Sequence, residues 1–479
     1  MTVQEAIQLA MQKQQAGQLA EAEAIYRQVL AAQPDSAEAL NLLGTLAAQQ
    51  GRLAEAAELI SRAAKLAREN VEIYVNLGVV LLIGKRADLA ESAFRRALAL
   101  RPGDAAIHHN LGTALQSLGR LPEAMAELNA AVRSSPNNAG YLSALGSALS
   151  DMGRWNDAIE FACRSLAINP ESPETHLNLG VLLLRSGQFA QGWNEYEWRW
   201  RVKNIEIGPA LSDKPIWNGG DLSGKSILLR SEQGFGDAIQ MTRYAPMVKA
   251  RGGTTVLYCQ NHLVRLLGGA PGIDRVVSWE EAPPPCDEHC PLLSLPRIFK
   301  TELTNIPHDV PYLSPDAELS RRWRERIGGE KRRCVGLVWA GGGGHIKDRQ
   351  RSLTLKQFEF LRDAGNIRLF SLQKGKPGEQ AGASPMELTD WTNDLDDFAD
   401  TAALIDNLDM VVTIDSAVAH LAGAMGKPVW VLLPWVPDWR WMLEQSDSPW
   451  YPTMRLFRQK TMDDWQAPLD ELAGAIKRL

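Results

Sequence analysis

Glycines at Gly44, Gly78, Gly112, Gly146 and Gly180 recur every 34 residues. A second row, Gly17, Gly51, Gly119, Gly153 and Gly187, keeps the same beat, with Lys85 in the one slot that lacks glycine. Pro34, Pro102, Pro136 and Pro170 follow it too, with Arg68 in their gap. No other feature limits the fold as much. A fixed period of this length predicts stacked helix–turn–helix units, each burying its apolar face against the next. In the second unit, Leu40, Leu43, Leu46 and Ala47 share one face of a helix over Ala37–Gln50, and Ala56, Ile60 and Ala63 share a face over Leu53–Ala67. Gly44 lets the two helices approach, Gly51 permits a turn that other residues resist, and the proline ends the second helix. Six units are predicted, starting at Val3, Ala37, Val71, Ala105, Ala139 and Pro173.

The period stops near residue 204 of 479, and composition changes with it: fourteen of the fifteen tryptophans lie after residue 190. The sixth unit itself departs from the pattern. It carries Gly192 where alanine is usual, then Trp193, Tyr196, Trp198 and Trp200, which reads as a docking face for the next domain. A linker is expected over 205–224, with Pro209, Pro215, Gly219 and Gly220. Strand and helix patterns then alternate. Strands are predicted at Ser226–Arg230, Thr254–Cys259 and Asp274–Ser278, with a helix over Ala238–Arg251. After Arg332 they are predicted at Cys334–Trp339, Arg368–Leu372, Met410–Thr413, Val429–Leu433 and Arg455–Phe457. Such alternation predicts parallel sheets covered by helices, with ligands beyond the carboxyl ends of the strands. The expected domains are a solenoid at 1–204, a first α/β unit at 225–330 and a second at 331–479, facing one another across a cleft.

A net charge of −6, mixed in sign and without a basic block, argues against nucleic acid as a partner. Cys163, Cys259, Cys286, Cys290 and Cys334 are an odd, scattered set, which points to a reducing compartment. Cys286, His289 and Cys290 lack a second ligand pair, so no metal site is expected there. The first residues form an amphipathic repeat helix rather than a signal peptide, and no apolar run approaches the ~20 residues that span a bilayer. These features predict a cytoplasmic protein.

Three motifs carry chemistry. Gly234-Phe235-Gly236-Asp237 follows the first strand and opens a helix. Its glycines allow close approach to the backbone, and the helix N-terminus favours negative charge. Thr413-Ile414-Asp415-Ser416 ends a strand, and the next helix carries His420. Ser416 and the free amides of that first turn suit a diphosphate. His345 to Ser352, preceded by Gly341–Gly344, puts Lys347, Arg349 and Arg351 on one loop, as in a phosphate clamp. Each motif has a plainer alternative: a helix-terminal carboxylate at Asp237, a packing histidine at His420, a solvated basic loop at 345–352. Gln373, ending the strand Arg368–Leu372, is a candidate for reading the nucleotide. Asp394-Leu395-Asp396 precedes a helix and reads as a cap rather than a metal-binding pair.

The repeats resemble the tetratricopeptide repeat, as NLGTALQSLGRLPEAMAELNAAVRSSP at 110–136 illustrates. In glycosyltransferases carrying such repeats, an asparagine ladder grips an extended peptide. Asn76, Asn110 and Asn178 fall at that position, and Gln8, Leu42 and Ala144 interrupt the ladder. The second half, over roughly 225–460, resembles the family 9, heptosyltransferase-like, glycosyltransferases of two-domain GT-B architecture. GFGD and D-S-x-x-x-H-L are its most specific parts, and PWVPDWRW at 434–441 and SPWYPTMRLFRQ at 448–459 resemble a bacterial branch that fuses repeats to this domain. The resemblance implies Asp237 as catalytic base, with Gly234 and Gly236 on the cleft loop. It implies a donor site made by Asp415, Ser416 and His420 with Arg351 or Lys347 on the phosphate, and Ser352 and Gln373 are further donor-side candidates. Arg351 stands where the family often has lysine. It also implies inverting transfer from a nucleotide-diphosphate sugar, a co-substrate, to an acceptor hydroxyl, with no cofactor or metal. A protein or peptide held by the repeats is the expected acceptor. An inactive peptide-binding scaffold and a transferase acting on a lipid-linked glycan are the alternatives.

Overall fold

The computed structural model describes residues 1–203, 214–232, 234–343 and 348–479. The chain falls into two compact units, Met1–Thr175 and His176–Leu479.

The first unit contains five helix pairs. Their first helices, Val3–Gln15, Ala37–Gln49, Val71–Ile83, Ala105–Ser117 and Ala139–Asp151, begin where the period places them. Thr2, Ser36, Asn70, Asp104 and Asn138 cap these helices with side-chain oxygens. The second helices, such as Leu53–Leu66 and Leu121–Ser134, end two residues before the proline or its replacement. The two glycine rows do different work. A Cβ on Gly44 would stand 2.5 Å from Ile60 Cγ1, so that row sets helix approach. Gly51 turns with φ of 80°, and Lys85 occupies the equivalent turn at φ 58°.

The second unit begins within the sixth repeat. The boundary expected at 204 falls instead between Thr175 and His176, because the last repeat helix is built into the α/β core. Helix Phe189–Tyr196 is only 8 residues long and passes into a 3-10 turn, Glu197–Arg201. Trp193 packs edge-on against Trp439 at 5.1 Å and donates its indole N–H to the Thr301 carbonyl at 3.1 Å. The aromatic run is thus the docking face its composition implied. Of the expected linker, 205–213 lies outside the described residues; Trp217, further along, is buried.

Two parallel sheets follow. The first contains β1 (Ser226–Arg230), β2 (Thr254–Cys259), β3 (Arg275–Ser278) and β4 (Glu288–Pro291), in the order β3-β2-β1-β4. The second contains β5 (Arg333–Leu337), β6 (Ile367–Ser371), β7 (Leu388–Asp390), β8 (Met410–Ile414), β9 (Val429–Leu433) and β10 (Met454–Arg458), in the order β10-β9-β8-β5-β6-β7. Every ladder pairing is parallel. Sequence reasoning missed β4 and β7, which are short edge strands ending in Pro291 and Asp390. The helix expected over 238–251 is broken into Phe235–Met241, a 3-10 turn and Ala245–Lys249, with Pro246 at the start of the last piece. In each sheet the chain order reverses once, between β1 and β4 and between β8 and β5. Ligands of such sheets bind at that reversal. GFGD follows β1, Asp415 and Ser416 follow β8, and the glycine-rich loop follows β5, so all three motifs stand at reversals.

Candidate active site

Asp237 lies in the first turn of helix Phe235–Met241 and is half-buried. Its Oδ2 accepts the Gly234 N–H at 3.0 Å, so the capping reading of this carboxylate is correct as far as it goes. Its Oδ1 accepts a second hydrogen bond, at 2.5 Å, from Nη2 of Arg440 on the loop after β9. Arg440 is buried, donates from Nη1 to Asp438 at 2.7 Å and from Nε to Gln240 at 2.6 Å, and lies 4.1 Å over the Trp439 ring. Burial opposes its charge, but Asp438 and Asp237 outweigh that cost and hold the guanidinium above its usual range. Arg440 was not among the residues singled out from sequence. Its only signal there was its place in PWVPDWRW.

Asp415 is half-buried at the end of β8. Burial and the neighbouring Asp438 push its carboxyl up to about 6, while Arg351, Trp441 and Arg440 act the other way. Arg351 donates from Nη1 to the Asp415 carbonyl at 3.0 Å and from Nε to Asp348 at 2.8 Å. The candidate phosphate ligand is therefore tied to the strand end that carries Asp415. Ser416 caps helix Ala417–Ala424, accepting the Ala419 N–H at 3.4 Å, and its hydroxyl lies 2.9 Å from that of Thr413. Asp237, Arg351, Asp415 and Ser416 are thus brought to one end of the two sheets. Lys347 lies outside the described residues.

Three expectations are corrected. His420 was expected to face the donor; it is 4% exposed, stacks on Trp441 at 5.2 Å and has Nδ1 3.0 Å from the Tyr451 hydroxyl. Burial, then Arg440, lowers its pKa to about 3, with Arg243 and Arg351 adding and Asp438 opposing. Its packing alternative prevails, and it carries no charge toward a phosphate. Gly236 was expected to admit a ligand; a Cβ there would meet His420 Cδ2 at 2.7 Å, so its missing side chain admits that ring. Gln373 was expected to read a nucleotide; it is buried, and its Oε1 accepts the Trp339 and Ala340 N–H groups at 3.0 and 2.8 Å. Ser352 similarly accepts the Gly341 N–H at 3.0 Å, so both side chains shape the loop after β5.

Elsewhere, Asp394 pairs with Arg326 at 2.7 Å, and the cap of helix Phe398–Asp406 is Asp397, not the Asp394–Asp396 pair. Asn76 of the ladder donates to Asn41 of the preceding repeat at 3.1 Å. Asn110 lies in the first unit and is half-buried, whereas Asn178 is exposed and falls in the second. No helix among the described residues is long and apolar enough to cross a membrane.

Models of the tetratricopeptide repeat match residues 7–71, 56–105 and 81–148. The model of glycosyltransferase family 9 (heptosyltransferase) matches residues 359–432, which hold β6 to β9 with Asp415, Ser416 and His420. This chain joins tetratricopeptide repeats to a glycosyltransferase family 9 domain. The family 9 match is narrower than the 225–460 over which the motifs extend, and Asp237, Arg351 and Arg440 lie outside it. A relative, Protein FlbA of Caulobacter vibrioides, is 26% identical over 358 residues, covering 66% of this chain and 57% of its own length. The match thus spans little more than half of that relative. The repeats are also similar to solved repeat structures. One is YrrB, described as a TPR protein with an unusual peptide-binding site (23% identity, 36% of this chain and 88% of that one, TM-score 0.32). Another is MamA (22% identity, 36% and 94%, TM-score 0.33).

Proposed function

We propose that the protein transfers a sugar from a nucleotide-diphosphate donor to a hydroxyl of a protein or peptide acceptor presented by the repeats. The donor occupies the end of the second sheet, with its diphosphate toward Arg351 and the helix that Ser416 opens; Lys347 is a further candidate ligand. These groups stabilise the leaving diphosphate, as fixed dipoles and cations do most effectively at the point where charge develops. Asp237 takes the proton of the acceptor hydroxyl as its oxygen attacks the anomeric carbon, and the configuration there inverts. The reading rests most on one observation: a carboxylate after β1 and an arginine tied to the end of β8 stand at the reversals of two adjoining parallel sheets. The protein acceptor is favoured because a long repeat array is joined to the transferase domain.

A thermal-shift screen against nucleoside diphosphates and their sugars tests the donor. A compound at 100 times its dissociation constant adds about 2.7 kcal/mol of stability. A shift with one compound, lost in Arg351→Ala, is the expected result. No shift with any, in a cooperatively unfolding sample, would favour a peptide-binding scaffold.

A further inference from the structure

Arg440 is the residue that ties Asp237 to the donor-side sheet, and its geometry goes beyond an ordinary surface pair. All three guanidinium nitrogens are committed: Nη2 to Asp237, Nη1 to Asp438 and Nε to Gln240. The plane is clamped on Trp439, which is buried and packed at 5.1 Å on Trp193 and 5.8 Å on Trp450. Only 8% of the Arg440 side chain is exposed, against 18% for Asp237. A group held at every nitrogen in a dry setting has little freedom to turn toward a ligand. What it can do is fix its partner. Asp237 then has one oxygen held by the Gly234 amide and the other by Arg440, so the carboxylate plane is set from both sides. The two anchors come from different sheets, the first on the loop after β1 and the second on the loop after β9.

From this geometry we infer that Arg440 is a positioning residue for the base. It holds the Asp237 carboxylate in register with the loops after β8 and β9, where the donor binds. The inference rests on the transferase reading above. Proton removal by a carboxylate depends on its placement within hydrogen-bond reach of the attacking hydroxyl, and small displacements are costly in rate. Arg440 therefore acts on the chemical step, through Asp237, and leaves donor affinity to Arg351 and the Ser416 helix.

The test measures release of nucleoside diphosphate by the full chain from a panel of UDP-, GDP-, ADP- and dTDP-linked hexoses, with a mixture of serine- and threonine-containing peptides supplying the acceptor hydroxyl. Wild type is compared with Arg440→Ala, Arg440→Lys and Asp237→Asn, with thermal melts alongside. The expected result for Arg440→Ala is kcat lower by about 10- to 100-fold, with donor KM changed less than about threefold. Added guanidinium restores part of the loss, and Arg440→Lys falls between wild type and Arg440→Ala. If Arg440→Ala does not fold, Arg440→Lys decides by the same split of kcat from KM. A folded variant with wild-type kcat overturns the positioning role while leaving the transferase standing. So does a loss carried wholly by KM, or one that guanidinium does not relieve. Wild-type protein that releases nothing from any sugar removes the transferase reading, and the positioning role with it.

Discussion

His420 shows how a motif residue can be held by its surroundings and kept out of the chemistry. Its ring fills the space that Gly236 leaves open, and it stacks on Trp441 beside Tyr451. Buried among Arg440, Arg243 and Arg351, it stays neutral until about pH 3, whereas a histidine in the unfolded chain protonates near 6.5. The unfolded state then binds more protons between those values, so this group's stabilising contribution is full above about 6.5 and is lost as pH falls toward 3. The slope is at most about 1.4 kcal/mol per pH unit. Asp415 has the opposite sign. Raised to about 6 from an ordinary 3.8, it favours the folded state as pH falls through that narrower window. The expected outcome is that His420→Gln flattens the acid limb of stability, measured by urea unfolding between pH 4 and pH 7, whatever its effect on stability at pH 7. An unchanged slope would mean that His420 already protonates in the folded protein.

At the scale of elements, the repeats were almost fully legible. Small residues at fixed offsets reveal helix approach and turn positions without knowledge of anything distant, and all six first helices start where the period places them. Lys85 is the informative exception. It keeps the left-handed turn at φ 58° without glycine's freedom, which costs a non-glycine residue about 1–2 kcal/mol. Lys85→Gly is therefore expected to stabilise the first unit by about 0.5–1 kcal/mol, the gain being trimmed by the entropy of glycine in the unfolded chain. Chemical unfolding followed by circular dichroism reads this directly. The strands that sequence reasoning missed, β4 and β7, are edges too short to show an apolar alternation. The strands it found include the edges β3 and β10, which carry adjacent apolar residues, Val276–Val277 and Leu456–Phe457, that β4 (EHCP) and β7 (LTD) lack.

At the scale of the whole molecule, the site was legible only in part. GFGD, Asp415 and Ser416 announce themselves by their place after strands. Arg440 does not, because its meaning lies in Asp237, two hundred positions away in sequence, and no local pattern records that bond. The same holds for Arg199 of the last repeat. Fully buried, it pairs with Glu232 of the loop after β1 at 2.8 Å and donates to Ser294 at 2.9 Å. Burial raises the pKa of Glu232 despite the pair, which marks how far the loop depends on its partner. Removing Arg199 leaves that carboxylate buried and unpaired, so Arg199→Met is expected to destabilise the second unit by about 3–5 kcal/mol. The last repeat helix is in this sense part of the second unit's own core, and a cut at residue 204 would pass through that core.

We propose Asp237 as the base of a sugar transfer. Release of nucleoside diphosphate by wild type and Asp237→Asn, matched for folding by circular dichroism, tests this with the donor found by thermal shift and serine- and threonine-containing peptides as acceptors. The asparagine variant is expected to bind the donor as before and to lose about 100- to 10,000-fold in kcat. Turnover by Asp237→Asn at the wild-type rate would contradict it and assign the proton to another group.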